Sequence, residues 1–304
     1  MAEDYSGFPP LHITAYSDFY AEPDPKVWGD YWLKQKLSEC FKRLGYPLAS
    51  GAPAILLHLF GEPLLELPSG AYNILWLHSH PDRTTPELLG KYSKVFCISK
   101  TFTKKLSAMG ADAEFLMLPT DMKPLAREKI YDIVFVGNTR QNAVRKVIGD
   151  MKVIADMGDP GFTVKIWGWG WKGLIPDGWY AGGYYENSRL NELYASAKIV
   201  LNDHHDDMRR EGFINPRVLD VLASGGFVVS DRVFGLDETL EAGIASYETP
   251  EELKSLLVKY MNDDEARDAI SNKGMETALE HTFERACRTI IAHIKSVRGR
   301  ASFL

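Results

Sequence analysis

The sequence predicts an α/β protein that contains two parallel-sheet domains. Two observations point to this class: short apolar runs alternate with helical segments, and this alternation occurs twice, on either side of a stretch rich in proline and charge. The length of 304 residues agrees with it, because a typical domain has about 150 residues.

The first series of elements occupies the N-terminal part of the chain. A strand is expected at 11–16. The helix that follows is predicted over 28–44, because apolar residues recur at helical spacing, at Leu33, Leu37, Cys40, Phe41 and Leu44. Gly45 is a suitable residue to end this helix. Further strands are predicted at 53–60, 72–78, 94–98 and 114–118, with short helices around 86–91 and 101–109.

The second series follows the stretch 119–130, where proline and charged residues interrupt the rhythm. Strands are predicted at 131–136, 162–167, 198–202 and 226–230. Helices are predicted at 140–157, 188–196, 216–224, 250–260, 263–280 and 283–297.

Strands that alternate with helices form parallel sheets covered on both faces, so we expect two Rossmann-like domains that face a cleft. The predicted N-terminal domain covers 1–122 and the second covers 123–285. The last segment, 286–304, is expected to pack back on the first domain. Ligands of such sheets bind beyond the carboxyl ends of the strands, which makes the loops after strands the candidate sites.

Composition excludes several classes of protein. The chain is 45% hydrophobic and 25% charged, which is typical of a globular protein and unlike a disordered chain, a collagen or a coiled coil. A net charge of −6 argues against nucleic acid as the main partner. The three cysteines have no CxxC spacing, which predicts neither a disulfide framework nor a zinc site. We expect a cytoplasmic protein, since no signal peptide and no apolar run of about 18 residues is visible.

The segment from Arg209 to Asp220 carries the most chemical information. Asn215 is a preferred N-cap and Pro216 suits the first helical position, so a helix is expected to begin there. Arg217 and Asp220 fall on the side of that helix opposite its apolar residues. A helix N-terminus beside a guanidinium favours a diphosphate, and Asp220 is placed to accept hydrogen bonds from ribose hydroxyls. The alternative is a capped helix with a surface Arg217–Asp220 pair.

Two loops that follow predicted strands offer further binding groups. After the first, Gly137 permits a close backbone approach, and Asn138, Thr139 and Arg140 can bond phosphate or sugar oxygens. The alternative there is a plain strand-to-helix turn. After the next strand, glycines separate three tryptophans in 167–171. Among them, Trp169 is the candidate for stacking on a base or sugar, and the alternative is that the tryptophans cover the domain core.

Other polar residues give weaker signals. Asp30 lies near the start of the first long helix, either as a helix-end charge or as a carboxylate that faces a substrate. His78 and His80 end a strand, where a histidine such as His80 can orient or deprotonate a substrate hydroxyl; the alternative is packing in the domain interface. The run 204–207, His-His-Asp-Asp, predicts no metal site, because adjacent residues point apart.

Several of these segments together resemble a known family. The block EGFINPRVLDVLASGGFVVSD, 211–231, resembles the donor-binding segment of group 1-type glycosyltransferases, closest to their CgeB-like branch. The segments VFVGNTR, WGWGW, LYASAKIVLND and SDRVFGLDE occur in the family's order. The resemblance covers about 130–285 and is weaker over 11–120, where WGDYW and ILWLHSHP resemble the acceptor-side domain. It implies the GT-B fold and transfer of a sugar from a nucleotide donor.

The resemblance also implies roles for individual residues. Glu211 would lie near the donor sugar and Asp220 at the ribose. The family pattern places two acids seven residues apart, whereas eight residues lie between these two and the second acid is Asp. The stretch ASG aligns Asp220 without a gap, so the departure concerns Glu211. The tryptophan loop and Tyr184 would border the nucleobase.

The resemblance implies glycosyl transfer with retention of configuration, with no permanent cofactor and no metal. Its co-substrate would be a UDP-, GDP- or dTDP-sugar, and the acceptor hydroxyl would belong to a glycan, lipid, protein or small molecule. Arg209, Arg210 and Arg217 would stabilise the leaving diphosphate. An inverting reaction would need a general base, for which Asp30 and His80 are candidates. The alternatives are a sugar-nucleotide epimerase of the same architecture and a non-catalytic nucleotide-sugar-binding protein.

Overall fold

A computed structural model describes residues 4–19, 24–49, 53–64, 66–139, 144–157 and 161–298. The chain divides into two units. The first contains Met1–Pro119, Arg210–Phe213 and His281–Leu304, and the second contains Thr120–Arg209 and Ile214–Glu280. The C-terminal residues therefore group with the N-terminal ones, and a short segment around 210–213 does the same.

The first unit is built on a sheet of five parallel strands. They are β1 (Leu11–Ala15), β2 (Ile55–Phe60), β3 (Tyr72–Leu77), β4 (Lys94–Cys97) and β5 (Ala113–Phe115), and they lie in the order of the chain. All six residues of β2 are buried, as expected for a strand covered on both faces. The helices between the strands are α1 (Gly29–Arg43), α2 (Pro86–Leu89) and α3 (Lys100–Ala108).

The second unit is built on a sheet of six parallel strands. They are β6 (Tyr131–Val136), β7 (Val164–Trp167), β8 (Tyr180–Gly182), β9 (Ala197–Asn202), β10 (Val228–Asp231) and β11 (Ile244–Tyr247). Their order in space is β11-β10-β9-β6-β7-β8. The chain runs outward from β6 through β7 to β8 and then returns to the other side of β6, which makes the β6–β9 pair the topological switch point.

The remaining helices cover these strands. They are α4 (Lys146–Asp150), α5 (Lys152–Ala155), α6 (Leu190–Ser196), α7 (Asp206–Arg210), α8 (Pro216–Ala223), α9 (Glu238–Glu241), α10 (Pro250–Met261), α11 (Asp264–Leu279) and α12 (Phe283–Arg298). Within the first unit, α12 packs against α1. The apolar side of α12, which includes Cys287, Ile290, Ile291 and Ile294, is buried. In the described parts of the chain, no helix is both long enough and apolar enough to cross a membrane.

The predicted α/β class with two parallel-sheet domains is confirmed, and every predicted strand is present to within about three residues at each end. One helix prediction is wrong: instead of a single helix over 140–157, two short helices flank Met151, and 140–143 lie outside the described residues. Among the strands and α-helices, four short elements are not predicted from the sequence, namely β8, α7, α9 and β11. Each has only three to five residues, which is too short to show a clear period.

Candidate functional site

The candidate site lies at the carboxyl ends of the strands in the second unit. β6 and β9 are neighbours at the switch point, and the loops that follow them begin at Gly137 and Asp203. Open parallel sheets bind ligands at this place, because two loops diverge there and leave a crevice.

Glycines join the loop after β6 to the loop after β7. The Gly137 amide donates to the Trp167 carbonyl at 2.8 Å. A Cβ on Gly168 would lie 2.1 Å from the Gly137 carbonyl oxygen, and one on Gly170 would lie 2.1 Å from Thr139 Oγ1. Both glycines also have positive φ angles, of 143° and 86°. Only glycine therefore lets the two loops approach so closely.

Polar contacts fix the same pair of loops. The Asn138 side-chain oxygen accepts from the Trp169 amide at 2.9 Å, and the Thr139 amide donates to the Trp169 carbonyl at 3.0 Å. The predicted phosphate ligand Asn138 thus holds the tryptophan loop in place. Arg140, the fourth residue predicted in this loop, lies outside the described residues.

The tryptophans of this loop have different environments. Trp171 is fully buried, with its ring 6.0 Å from that of Phe135 in an edge-on contact. Trp169 is 46% exposed and stacks on Tyr184, which is 44% exposed, with ring centroids 5.8 Å apart and planes 21° apart. The two interpretations of this loop, as a stacking surface and as cover for the domain core, therefore apply to different tryptophans. Trp169 presents an exposed aromatic surface, and Trp171 belongs to the core.

Arg217 extends from the first turn of α8 to the end of β6. Its Nη1 donates to Asn202 Oδ1 at 2.8 Å, and its Nη2 donates to the Val136 carbonyl. The guanidinium lies 4.9 Å from the centre of the Phe135 ring, and a Cβ on Gly137 would be 3.0 Å from its Nη2. Burial lowers the pKa of Arg217, opposed by the nearby Tyr194 phenol.

The hydrogen-bond partners of Arg217 are neutral groups. Within the described ranges, no carboxylate forms an ion pair with it, so the surface Arg217–Asp220 pair considered as the alternative is wrong. A partly buried cation bonded to neutral groups retains its attraction for an anion. Arg145 stands 5.3 Å from the centre of the same Phe135 ring but is paired with the buried Asp203.

The start of α8 agrees with the prediction in position but not in its cap. Asn215 occupies the N-cap and Pro216 the first helical position, yet the Asn215 side chain makes no capping hydrogen bond. Its Nδ2 instead donates to the Asp203 carbonyl at 2.8 Å, and its Oδ1 is buried with no hydrogen-bond partner. The first-turn amides of α8 therefore receive no side-chain acceptor from the N-cap residue.

Asp220 lies one turn further along α8. Its Oδ1 accepts from the Thr120 hydroxyl at 2.6 Å. Tyr194 interacts with both Asp220 and Arg217, and burial raises the pKa of this tyrosine to about 12. Asp220 thus lies among hydroxyl groups.

A buried polar cluster lies behind Arg217 and consists of Asn202, His204, Ser230 and Asp231. These side chains are at most 2% exposed, and His204 Nδ1 lies 2.7 Å from Asp231 Oδ1. The sequence interpretation did not identify this cluster. Its members lie at or next to the carboxyl ends of β9 and β10. Polar residues at the ends of predicted strands are the sequence feature from which this cluster could have been identified. Among the described residues, no group of three or more His, Cys, Asp or Glu could hold a metal ion.

The other two predicted arginines have acidic partners. Arg209 Nε is 3.5 Å from Asp231 Oδ2, and its Nη1 is 3.4 Å from Asp206. Arg210 groups with the first unit and pairs with Asp82, whose hydrogen bond raises the pKa of Arg210. Of the three arginines, Arg217 alone combines partial burial with described partners that are all uncharged.

Glu211 also groups with the first unit. Its carboxylate bonds Lys105 and lies 3.3 Å from Arg210 Nε. The Ser99 hydroxyl donates to its backbone carbonyl at 2.6 Å. The side chain is therefore held by two cations inside the unit to which it belongs.

The remaining first-unit candidates are Asp30 and His80. Asp30 Oδ2 accepts from the Ser17 amide at 3.0 Å, and burial raises the pKa of this carboxyl. His80 has φ 50° and ψ 55°, a left-handed conformation that is rare before proline, and Pro81 follows it. The neighbouring His78 has a buried Nε2 without a hydrogen-bond partner, and burial lowers its pKa to about 4.

Comparison with known proteins gives a family match over part of the chain and a set of structures with a similar fold. Residues 145–292 match a family described as glycosyl transferase-like. No curated protein sequence matches the chain. A sucrose-phosphate synthase from Thermosynechococcus elongatus has 12% identity and a TM-score of 0.60, covering 90% of this chain and 78% of the other.

Two further solved structures have a similar fold, and the matches cover nearly all of both chains. Anabaena HepE in complex with UDP-glucose has 10% identity and a TM-score of 0.64, covering 94% of this chain and 99% of the other. A glycosyltransferase from Rickettsia africae has 10% identity and a TM-score of 0.68, covering 96% and 98%. At such identities the likeness shows the fold, which is GT-B. The matched domain and the shared fold are those of glycosyltransferases.

Proposed function

We propose that this chain, which carries a glycosyl transferase-like domain on a GT-B fold, transfers a sugar from a nucleotide-sugar donor to an acceptor hydroxyl. The observation that carries the proposal is Arg217, a partly buried guanidinium with neutral partners at the β6–β9 switch point. A diphosphate is the anion expected at such a place, because a glycine loop and a helix N-terminus adjoin the cation.

The donor diphosphate would bind between the loop after β6 and the start of α8. Gly137 places no side chain beside the guanidinium, since a Cβ there would lie 3.0 Å from Arg217 Nη2, and the first-turn amides of α8 favour negative charge. Arg217 supplies the fixed cation. Arg209, which is mostly buried in the same unit, would add positive potential although it is paired with Asp231.

The nucleoside would extend from this point across the second unit. Asp220 would accept hydrogen bonds from the ribose, with Thr120 holding the carboxylate in place. Trp169 and Tyr184 would stack on the base, since their rings are partly exposed and their planes are only 21° apart. Anabaena HepE was crystallised with UDP-glucose, which makes a uridine nucleotide the first donor to test, before GDP and dTDP.

Catalysis would depend on stabilising the leaving group. The bond between the sugar C1 and the β-phosphate oxygen breaks, the acceptor oxygen bonds to C1, and the proton of the acceptor hydroxyl passes to an oxygen of the departing diphosphate. Arg217 and the α8 amides would stabilise the charge that develops on the departing diphosphate. Because these groups supply positive charge, the reaction is proposed to need no metal. Retention is proposed because the donor block resembles retaining enzymes.

Three first-unit residues are proposed for the sugar and the acceptor. Glu211 would face the transferred sugar, and Asp30 or His80 would orient the acceptor hydroxyl. The raised pKa of Asp30 and the strained backbone of His80 support this assignment, since both features are frequent in active sites.

The test is a thermal-unfolding panel with UDP, GDP and dTDP and their sugars. A ligand at 100 times its Kd adds about 2.7 kcal/mol to the free energy of unfolding. We expect wild type to be stabilised by one nucleotide and Arg217→Ala to lose that stabilisation. Arg217→Lys retains a charge without the two-pronged geometry and is expected to lose part of it.

Arg232→Ala is the matched control. Arg232 belongs to the same unit, is 46% exposed on its side chain and pairs with Glu248. Its removal is expected to leave nucleotide stabilisation intact. If Arg217→Ala folds and responds to the nucleotide like wild type, the proposed diphosphate site is wrong.

A further inference from the structure

The orientation of the Asn202 amide follows from its contact with Arg217. A guanidinium only donates hydrogen bonds, so the atom of Asn202 that lies 2.8 Å from Arg217 Nη1 is the carbonyl oxygen Oδ1. The amide nitrogen therefore points the other way. It lies 3.0 Å from Ser230 Oγ and 3.3 Å from His204 Nε2.

This orientation fixes the tautomer of His204. The Asn202 nitrogen is a donor, so His204 Nε2 must be the acceptor and the ring proton must be on Nδ1. Nδ1 then donates to Asp231 Oδ1 at 2.7 Å. The His204 backbone amide bonds the other oxygen, Asp231 Oδ2, at 3.1 Å, which holds the ring and the carboxylate in register.

Ser230 closes the same network. Its hydroxyl accepts from Asn202 and donates to Asp231 Oδ1 at 3.2 Å. The side-chain hydrogen bonds thus run in one direction: Arg217 donates to Asn202, Asn202 donates to His204 and Ser230, and both of these donate to the carboxylate of Asp231. A buried network with all its members satisfied is rigid, because reversing one amide leaves unsatisfied groups on both sides of it.

We propose that Asn202, His204 and Asp231 are positioning residues that aim the Arg217 guanidinium at the donor diphosphate. This inference rests on the function proposed for Arg217. The guanidinium bonds three described groups: the Val136 carbonyl of the β6 backbone, the Tyr194 hydroxyl and the Asn202 side chain. Of the two side chains, Asn202 is the one that the cluster of His204, Ser230 and Asp231 holds in place. Fixing a cation before the ligand arrives avoids a reorganisation cost on binding.

A double-mutant cycle tests whether Asn202 acts through Arg217. The Kd for UDP, or for whichever nucleotide wild type binds most tightly, is measured for wild type, Asn202→Ala, Arg217→Ala and the double variant. We expect Asn202→Ala to raise the Kd about tenfold and to have no further effect once Arg217 is gone. A purely structural role of Asn202 would weaken binding by the same factor in both backgrounds, which would overturn the proposal.

A pair of variants at His204 keeps the test valid if Asn202→Ala does not fold. Glutamine places a carboxamide where Nε2 of histidine lies, and its oxygen can still accept from Asn202. Asparagine reaches only as far as Nδ1, so it bonds Asp231 and leaves Asn202 without an acceptor. We expect His204→Gln to stay within about threefold of the wild-type Kd and His204→Asn to be about tenfold weaker.

The outcomes separate the two proposals. If Arg217→Ala binds the nucleotide as tightly as wild type, the proposed diphosphate site fails and the positioning role fails with it. If Arg217→Ala weakens binding while folded Asn202 and His204 variants do not, only the positioning role is wrong. Equal Kd values for His204→Gln and His204→Asn also contradict it.

Discussion

The ring of Trp169 lies 5.8 Å from the ring of Tyr184, with 21° between the planes, and both rings remain nearly half exposed. This pair contributes little to the core and offers its surface to a flat ligand. In the proposed complex it is the part of the site that binds the nucleobase.

Replacement of Trp169 by alanine is expected to weaken nucleotide binding with little loss of stability. Stacking on an aromatic side chain contributes about 1–3 kcal/mol per base, which corresponds to roughly a 5- to 150-fold rise in Kd. Calorimetric titration measures the change. Trp171→Ala is the contrasting variant, since removing this fully buried ring should destabilise the fold by about 3–5 kcal/mol. Unchanged affinity in Trp169→Ala would remove the loop from the proposed base site.

Alanine at Gly168 is expected to disrupt the contact between the two loops. The added Cβ would lie 2.1 Å from the Gly137 carbonyl oxygen, and the φ of 143° is unfavourable for any side chain. Overpacking of this kind costs about 1–3 kcal/mol, to which backbone strain adds. Urea unfolding measures the loss. Gly178→Ala is the control, because nothing lies within 4 Å of its Cβ position. Equal midpoints for the two variants would contradict the account of the loops.

Asp220 is expected to discriminate nucleotides by their ribose. Asp220→Ala should raise the Kd for UDP about 10- to 150-fold, since a hydrogen bond to a charged group contributes about 1.5–3 kcal/mol. It should not change the Kd for 2′,3′-dideoxy-UDP, which lacks the hydroxyls. A variant that weakens binding of both nucleotides by the same factor shows that Asp220 does not bind the ribose.

Acid is expected to destabilise the first unit through His58. Burial lowers the pKa of His58 to about 4, below the ordinary value of 6.5. The unfolded chain therefore binds the proton more readily, so this contribution to stability is present above about pH 6.5 and is lost as the pH falls toward 4. The loss between pH 7 and pH 5 is about 2 kcal/mol for this group. His78, whose pKa is also lowered to about 4, acts in the same direction.

Unfolding of wild type and His58→Phe at pH 7 and pH 5 measures this contribution. The variant loses the hydrogen bond between His58 Nδ1 and the Tyr92 hydroxyl, so it is less stable at pH 7. Its stability should nevertheless fall less on acidification than that of wild type. An identical fall in both proteins would show that His58 does not titrate with a lowered pKa.

The sequence predicts those features that depend on neighbouring residues. The strands were found because buried parallel strands are continuous apolar runs, and α8 was placed correctly because Asn215 and Pro216 mark a helix start. Whether a side chain in a loop is buried or exposed depends on distant parts of the chain, so the neighbouring residues do not predict it. Trp169 and Trp171 share one glycine-rich loop, yet one is exposed and the other is buried against Phe135.

Long-range contacts explain the rest of the differences. The network of Asn202, His204 and Asp231 exists because β9 and β10 lie side by side, which no local pattern reveals. In the same way, Arg210 and Glu211 precede a second-unit helix in the chain but group with the first unit, where Asp82 and Lys105 bind them.

A crystal structure of the protein with bound UDP tests the central claim most directly. We predict that diphosphate oxygens lie within hydrogen-bonding distance of the Arg217 guanidinium and the first turn of α8, with the ribose at Asp220. A diphosphate bound away from the carboxyl ends of β6 and β9, with Arg217 still bonded to Asn202 and no anion beside it, would contradict the account.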